Sequence, residues 1–336
     1  MAGAGSGPFL RGPCSEFAGY PMFAKRDSGS RMKAAIGLRF YKVSAHRKGS
    51  RDVEPCPGSD LNMAVPAFLA GFVASRAEPK DESEHQRSWY FEELLPDGPS
   101  SIRGYVQYGT YGFESRLKNQ KTKAPSYNRT VDDVEEVPLF FEFWTPDDGD
   151  LTIMSFQSFG GRSCVSLVRQ DIKDSFEVAN PGFILRFEKL LGTDSPATLY
   201  ASAPVKKLTL IRQGSASDAF TSYDREGPPK TVDFELSVKA RRGDNLGRFA
   251  DLAGGLNKTD RGLVVFRGEE FEEATAMVMI GKRQRPVGIV APNRDTGAID
   301  VSESIKWGSN GHPTFDSLAE QSTMIAQDFY RRIAGG

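Results

Sequence analysis

The sequence predicts an α+β fold, a mainly antiparallel β-sheet carrying a few amphipathic helices, the last of them C-terminal. Three observations lead there. From residue 231 onward, apolar runs of strand length follow one another with short polar breaks, the pattern of a meander. "VPLFFEFW" (137–144) and "LTIMSFQSF" (151–159) flank "TPDDGD", whose Pro, Asp and Gly supply the backbone angles of a hairpin. Apolar residues at helical spacing are confined to a few segments, chiefly 164–178 and 317–333.

Residues 1–31 are rich in Gly, Ser and Pro and lack both periodicity and the continuous apolar run of a signal peptide. They are expected to form a disordered extension, with Met32 as the natural first residue. Ile36, Leu38 and Phe40 then alternate as one face of a strand. After a polar loop, "VPAFLAGFVA" (65–74) reads as a buried core segment, because a membrane-spanning helix needs about 20 apolar residues. A short helix is predicted around "EHQRSWYFEELL". "SIRGYVQYGTYGFES" reads as a strand with Tyr105 and Tyr111 on one face and Tyr108 on the other. Residues 115–131 carry Arg116, Lys118, Lys121, Lys123 and Arg129 without an acid, and "DDVEE" follows, so a solvated loop is expected. Together residues 32–136 read as an N-terminal α+β part with long polar loops, and 137–336 as a compact α+β domain.

Within the second part, Val165, Val168, Ile172 and Phe176 form the apolar stripe of a helix over 164–178. "NPG" ends it and launches "FILRFEKLL"; "PVKKLTLIRQ" (204–213) is the next strand. Val232, Phe234, Leu236 and Val238 alternate with Asp233, Glu235, Ser237 and Lys239, a half-buried strand. "NLGRFADLAGGL" predicts a short helix with Asp244 as its N-cap. "EEATAMVMIGK", "RPVGIVAP" and "TGAIDVSESI" are strands. In the closing helix Ser317 and Glu320 match a capping box, and Leu318, Ile325, Phe329 and Ile333 line one stripe.

Composition bounds the chemistry. Against 43 Lys and Arg stand 44 Asp and Glu, a net charge of -1, so any affinity for polyanions must come from local patches. Cys14, Cys56 and Cys164 form no CxxC pair and no disulfide framework, which fits a reducing cytoplasm. His46, His85 and His312 lack metal-ligand spacing, and no P-loop, G-x-G-x-x-G or G-x-S-x-G sequence occurs. No cofactor, metal, catalytic residue or membrane partner is therefore expected. Cys164 opens the 164–178 helix, where a thiol can be activated, although burial as a small apolar residue is the commoner outcome. Asp233 and Glu235, with Lys239 on the same face, supply the ligands of an alternative reading, a Mg²⁺-dependent nuclease. A non-catalytic protein–protein scaffold is the third.

Binding has the better signal. Cations cluster at strand ends: Arg241 and Arg242 after the 232–239 strand, Lys282, Arg283 and Arg285 in "MIGKRQRPVGI", and Lys206, Lys207 and Arg212 around the 205–211 strand. If the first two clusters share one edge of the sheet, five cations converge on phosphate without reading bases. Lys118, Lys121 and Lys123 would be a flexible auxiliary arm, and Tyr105, Tyr108 and Tyr111 stacking surfaces.

The order hairpin "VPLFFEFWTPDDGDLTIMSFQSFGG", helix "CVSLVRQDIKDSFEV", strand "FILRFEKLL", strand "VKKLTLIR" and basic strand end "VKARRGD" resembles the layout of the A component of the lambdoid-phage Rex exclusion system and of related antiphage-island proteins. The resemblance covers roughly 137–245. It implies a cytoplasmic, dimeric protein of phage defence that binds DNA with little sequence preference; a co-encoded defence protein is a further expected partner. The long N-terminal half and the "GHPTFDSLAE" helix depart from that layout. The expected function is thus nucleic-acid binding of the phage-defence or mobile-element kind.

Overall fold

Strand β1 (Ile36–Arg47) is hydrophobic on both faces, and the molecule is arranged around that fact. Ile36, Leu38 and Phe40 point into one core and Tyr41, Val43 and Ala45 into another. A strand buried on both sides needs a layer on each. A computed structural model of the chain describes residues 34–50, 52–54, 60–92, 101–146, 151–191, 201–214, 232–259, 263–280, 283–290 and 297–334. The expected extension at 1–31, and Met32, lie outside the described residues.

The remaining strands are β2 (Val53–Glu54), β3 (Lys80–Glu82), β4 (Arg87–Phe91), β5 (Ser101–Thr110), β6 (Ser115–Lys118), β7 (Pro125–Arg129), β8 (Glu135–Trp144), β9 (Thr152–Phe159), β10 (Phe183–Lys189), β11 (Val205–Gly214), β12 (Val232–Lys239), β13 (Asn257–Lys258), β14 (Val264–Phe266), β15 (Glu269–Phe271), β16 (Glu273–Ile280), β17 (Arg283–Val290) and β18 (Ile299–Asp300). Among the described residues the α-helices are α1 (Val65–Ala74), α2 (Val165–Ala179), α3 (Phe249–Gly255) and α4 (Phe315–Ala334). The main sheet runs β12-β11-β16-β17-β18-β1-β9-β8-β5-β4-β3, with β10 and β2 also on β1, and its pairings are antiparallel throughout. The fold is therefore α+β with a large antiparallel sheet and a C-terminal helix.

One core lies beneath α4, where Phe329 packs on Phe40 with ring centroids 5.3 Å apart. The other lies beneath α1 and α2, where Phe68 meets Phe176 edge to face at 5.1 Å. Arg76, just past α1, ties it to α2 through Asp171 at 2.7 Å.

Several sequence expectations change. The sheet is continuous across residue 137: β5 pairs with β8 from Ser101–Trp144 to Thr110–Glu135, and residues 34–336 form one unit. The boundary read there from polar loops does not appear, because strand pairing between distant segments leaves no local pattern. Of the helix expected near 84–95, residues 93–95 lie outside the described residues, and the rest is instead a 3₁₀ turn (Ser83–His85) followed by β4, whose Trp89 and Phe91 are buried. The basic stretch at 115–131 is the β6–β7 hairpin and not an irregular loop, its turn held by Asn119 Oδ1 accepting from the amides of Lys121 (2.9 Å) and Thr122 (3.0 Å). Helix α3 has Arg248, not Asp244, at its N-cap. Ser317 lies inside the first turn of α4, where its hydroxyl accepts from Thr314 Oγ1 (2.9 Å) and the Lys306 amide (3.0 Å).

Candidate nucleic-acid interface

Antiparallel order decides which strand ends meet. Lys207 pairs with both Lys239 and Met277, and Met277 pairs with Pro286. The last residue of β12, the start of β11, the end of β16 and the start of β17 therefore share one end of the sheet. Arg241 and Arg242 follow β12, and Arg283 opens β17, three strand spacings or about 14 Å across. The two clusters that are distant in sequence come to a common rim.

Their surroundings differ. Lys239, Arg241, Arg242 and Arg283 are exposed and form no ion pair among the described residues. Lys206 donates to the Asp244 carbonyl at 2.6 Å, and Lys207 lies 3.8 Å from Glu235. Arg212 is at the far end of β11, paired with Glu269 at 2.6 Å, and takes no part in the rim.

Arg285 corrects the sequence reading. Paired with Val278 on the core face, it is only 5% exposed, and its Nη1 donates to Gln321 of α4 at 3.4 Å. Burial pulls its pKa down, nearby Arg283 adds to this, and Asp328 opposes it. A buried guanidinium cannot touch a phosphate backbone, so Arg285 leaves the set. The alternation of β17 places it inward, a fact hidden by the local cluster of cations. Lys282 lies outside the described residues.

Lys118, Lys121 and Lys123 are exposed on the β6–β7 hairpin. Following the alternation of strand direction through β17, β18, β1, β9, β8 and β5, the end of β5 and the start of β8 face the same way as the basic rim. The hairpin leaves from that same end, seven strands from β12, roughly 30–35 Å along the sheet. Of the tyrosines, Tyr108 is buried and Tyr105 packs against Phe315 at 5.5 Å, so both serve the cores.

The nuclease alternative has a thin basis. Glu235 is exposed beside Lys207, the Asp233 side chain lies outside the described residues, and no group of three His, Cys, Asp or Glu suited to a metal occurs among those described. Cys164 is fully buried, which pushes its thiol up to about 12, so it is not an activated nucleophile. His312 stacks on Phe159 at 4.8 Å.

Sequence reasoning missed a second basic region at this same end. Arg39, Arg87 and Arg162 line a cavity of about 560 Å³ beside the start of α2. Arg39 had a local signal, a charge at an inward position of a strand apolar on both faces. Arg87 and Arg162 had none, since each comes from a different polar segment. Compared with known proteins, the chain matches no family model and no curated protein sequence.

Proposed function

We propose that this protein binds nucleic acid through its phosphate backbone, without reading sequence, along the end of the sheet that carries Arg241, Arg242, Lys239 and Arg283. The supporting observation is that these exposed cations, drawn from separate strands, gather at one end of one sheet without carboxylate partners among the described residues. Coulombic attraction to phosphate is then not spent on internal pairs, and counterion release on contact favours binding. Lys118, Lys121 and Lys123 extend the same track. A net charge of -1 keeps the attraction local. The resemblance to the Rex A layout suggests phage defence as the setting, with DNA as the polymer.

The test is the salt dependence of binding to a short duplex, read by fluorescence anisotropy. Each lost phosphate contact lowers the steepness of log affinity against log salt by about 0.9, so joint change of Arg241, Arg242 and Arg283 to alanine should remove about 3 from the slope. Arg285→Met should leave it unchanged. No binding at about 50 mM salt, where such contacts are strongest, would rule the reading out.

A further inference from the structure

Three guanidinium groups converge on the cavity next to α2 from three separate elements. Arg39 comes from β1, Arg87 from β4, and Arg162 from the turn after β9. Arg87 is held in place: its Nε donates to Tyr108 Oη at 2.8 Å, and its Nη1 to the carbonyls of His85 and Gln86, both at 3.0 Å. Gln86 adopts a left-handed backbone (φ 53°) in making that turn. Nη2 of Arg87 takes no partner among the described residues. Arg39 donates to Tyr41 Oη at 3.4 Å. The single carboxylate of the lining, Glu135, is shared: it accepts from Arg162 at 2.6 Å and from Arg129 at 3.2 Å. Two guanidiniums thus share the one carboxylate of the lining, and Arg87 adds a cation whose hydrogen bonds all go to neutral acceptors.

The cavity also meets the start of a 15-residue helix. Cys164, the N-cap of α2, makes no side-chain cap bond, and the first turn has no acid. The Val165 amide reaches Ser163 Oγ only at 3.5 Å, while those of Ser166 and Leu167 take no acceptor among the described residues. Amides at a helix start favour an anion, and here they add to the arginines. A second cavity, of about 720 Å³, shares Arg87, Tyr108, Ser163 and Ser166 and continues the cleft along α2. There Asp171 is paired with Arg76 (2.7 Å) and Lys80 (3.1 Å) and Glu82 with Lys80 (3.3 Å), while Asp174, ten residues along from Cys164, accepts from Gln170 (2.9 Å) and leaves that far part of the cleft acidic.

We infer that this cleft binds a phosphomonoester, the terminal phosphate of a nucleotide or of a 5′-phosphorylated strand. A phosphomonoester carries close to two charges and three terminal oxygens, which suits several fork-shaped donors and a helix start better than the single charge of a backbone diester. The volume is that of a small-molecule site, and the half-exposed ring of Phe113 offers apolar surface to the remainder of the ligand. This assignment does not depend on the basic rim.

Calorimetric titration of the full chain with adenosine 5′-monophosphate, adenosine and inorganic phosphate tests it, alongside paired oligonucleotides with and without a 5′-phosphate. Adenosine 5′-monophosphate should bind and adenosine should not. Arg39→Gln should weaken binding about tenfold or more, the expectation for losing one charge-assisted hydrogen bond. Ser166→Glu sets a carboxylate in the first turn, where it favours the helix, and should abolish binding while the protein stays folded. A free-nucleotide site gives tight monophosphate binding with no preference between the oligonucleotides. A strand-end site gives a preference for the 5′-phosphorylated one that survives changing Arg241, Arg242 and Arg283 to alanine. Equal affinity for adenosine and its monophosphate, absence of binding by every phosphate-bearing probe, or monophosphate binding untouched by Ser166→Glu would overturn the assignment.

Discussion

Arg285 and Glu142 are charged side chains buried under the same helix. Among the described residues, Nε and Nη2 of Arg285 find no partner and Gln321 alone answers Nη1. A buried cation so poorly matched costs stability, while its stem still packs under α4. Arg285→Met should therefore raise the free energy of urea unfolding by about 1 kcal/mol; a loss of that size would mean the charge is compensated after all. Glu142 is 1% exposed. Burial pushes its carboxyl above the usual range, against hydrogen bonds from Ser322 and Thr323, the latter at 2.8 Å, and the nearby charge of Arg103. With the folded value above the unfolded one, the stabilising share of this group is complete at acid pH below the unfolded value. It is lost as pH rises through the folded value. Glu142→Gln does not titrate, so its stability relative to the parent should climb across that window. Unfolding midpoints of both proteins from about pH 4 to about pH 8 measure this, and parallel profiles would refute it.

Among the elements, α2 carries both packing and site. Its stripe of Val165, Val168, Ile172 and Phe176 was legible because a 3.6-residue period needs no partner to be seen. Phe176→Ala should cost about 3–5 kcal/mol in urea unfolding, since the ring is wholly buried against Phe68. A cost near zero would mean that the helix is not seated on this core. The β6–β7 hairpin shows the opposite case. Its lysines signal solvent, and from sequence a solvated loop and an exposed hairpin look alike, because neither face of β6 or β7 has a core to mark it. Likewise β4 mimics a helix over "EHQRSWYFEELL", and only its pairing with β3 and β5 fixes it as a strand.

At the scale of the whole sheet, the basic rim and the hairpin lysines lie at one end, about 19 Å from Arg283 on β17 to the hairpin and about 34 Å along the sheet from β12 to it, the longer span being close to the pitch of one duplex turn. Duplexes shorter than about ten base pairs should then lose affinity steeply, and lengthening beyond about two turns should add little per site. Affinity that falls smoothly with length below one turn, with no break, would show that the hairpin does not share the track. The sequence by itself determined the α+β class, the central hairpin, α2, α4 and the presence of basic strand ends, because turn chemistry and periodicity act over a few residues. Tertiary structure alone decided that Arg241, Arg242 and Arg283 share a rim while Arg285 is buried, and that Arg39, Arg87 and Arg162 line one cleft. Those outcomes depend on strand order and on the side of the pleat each residue occupies, and pairings between segments far apart along the chain set both.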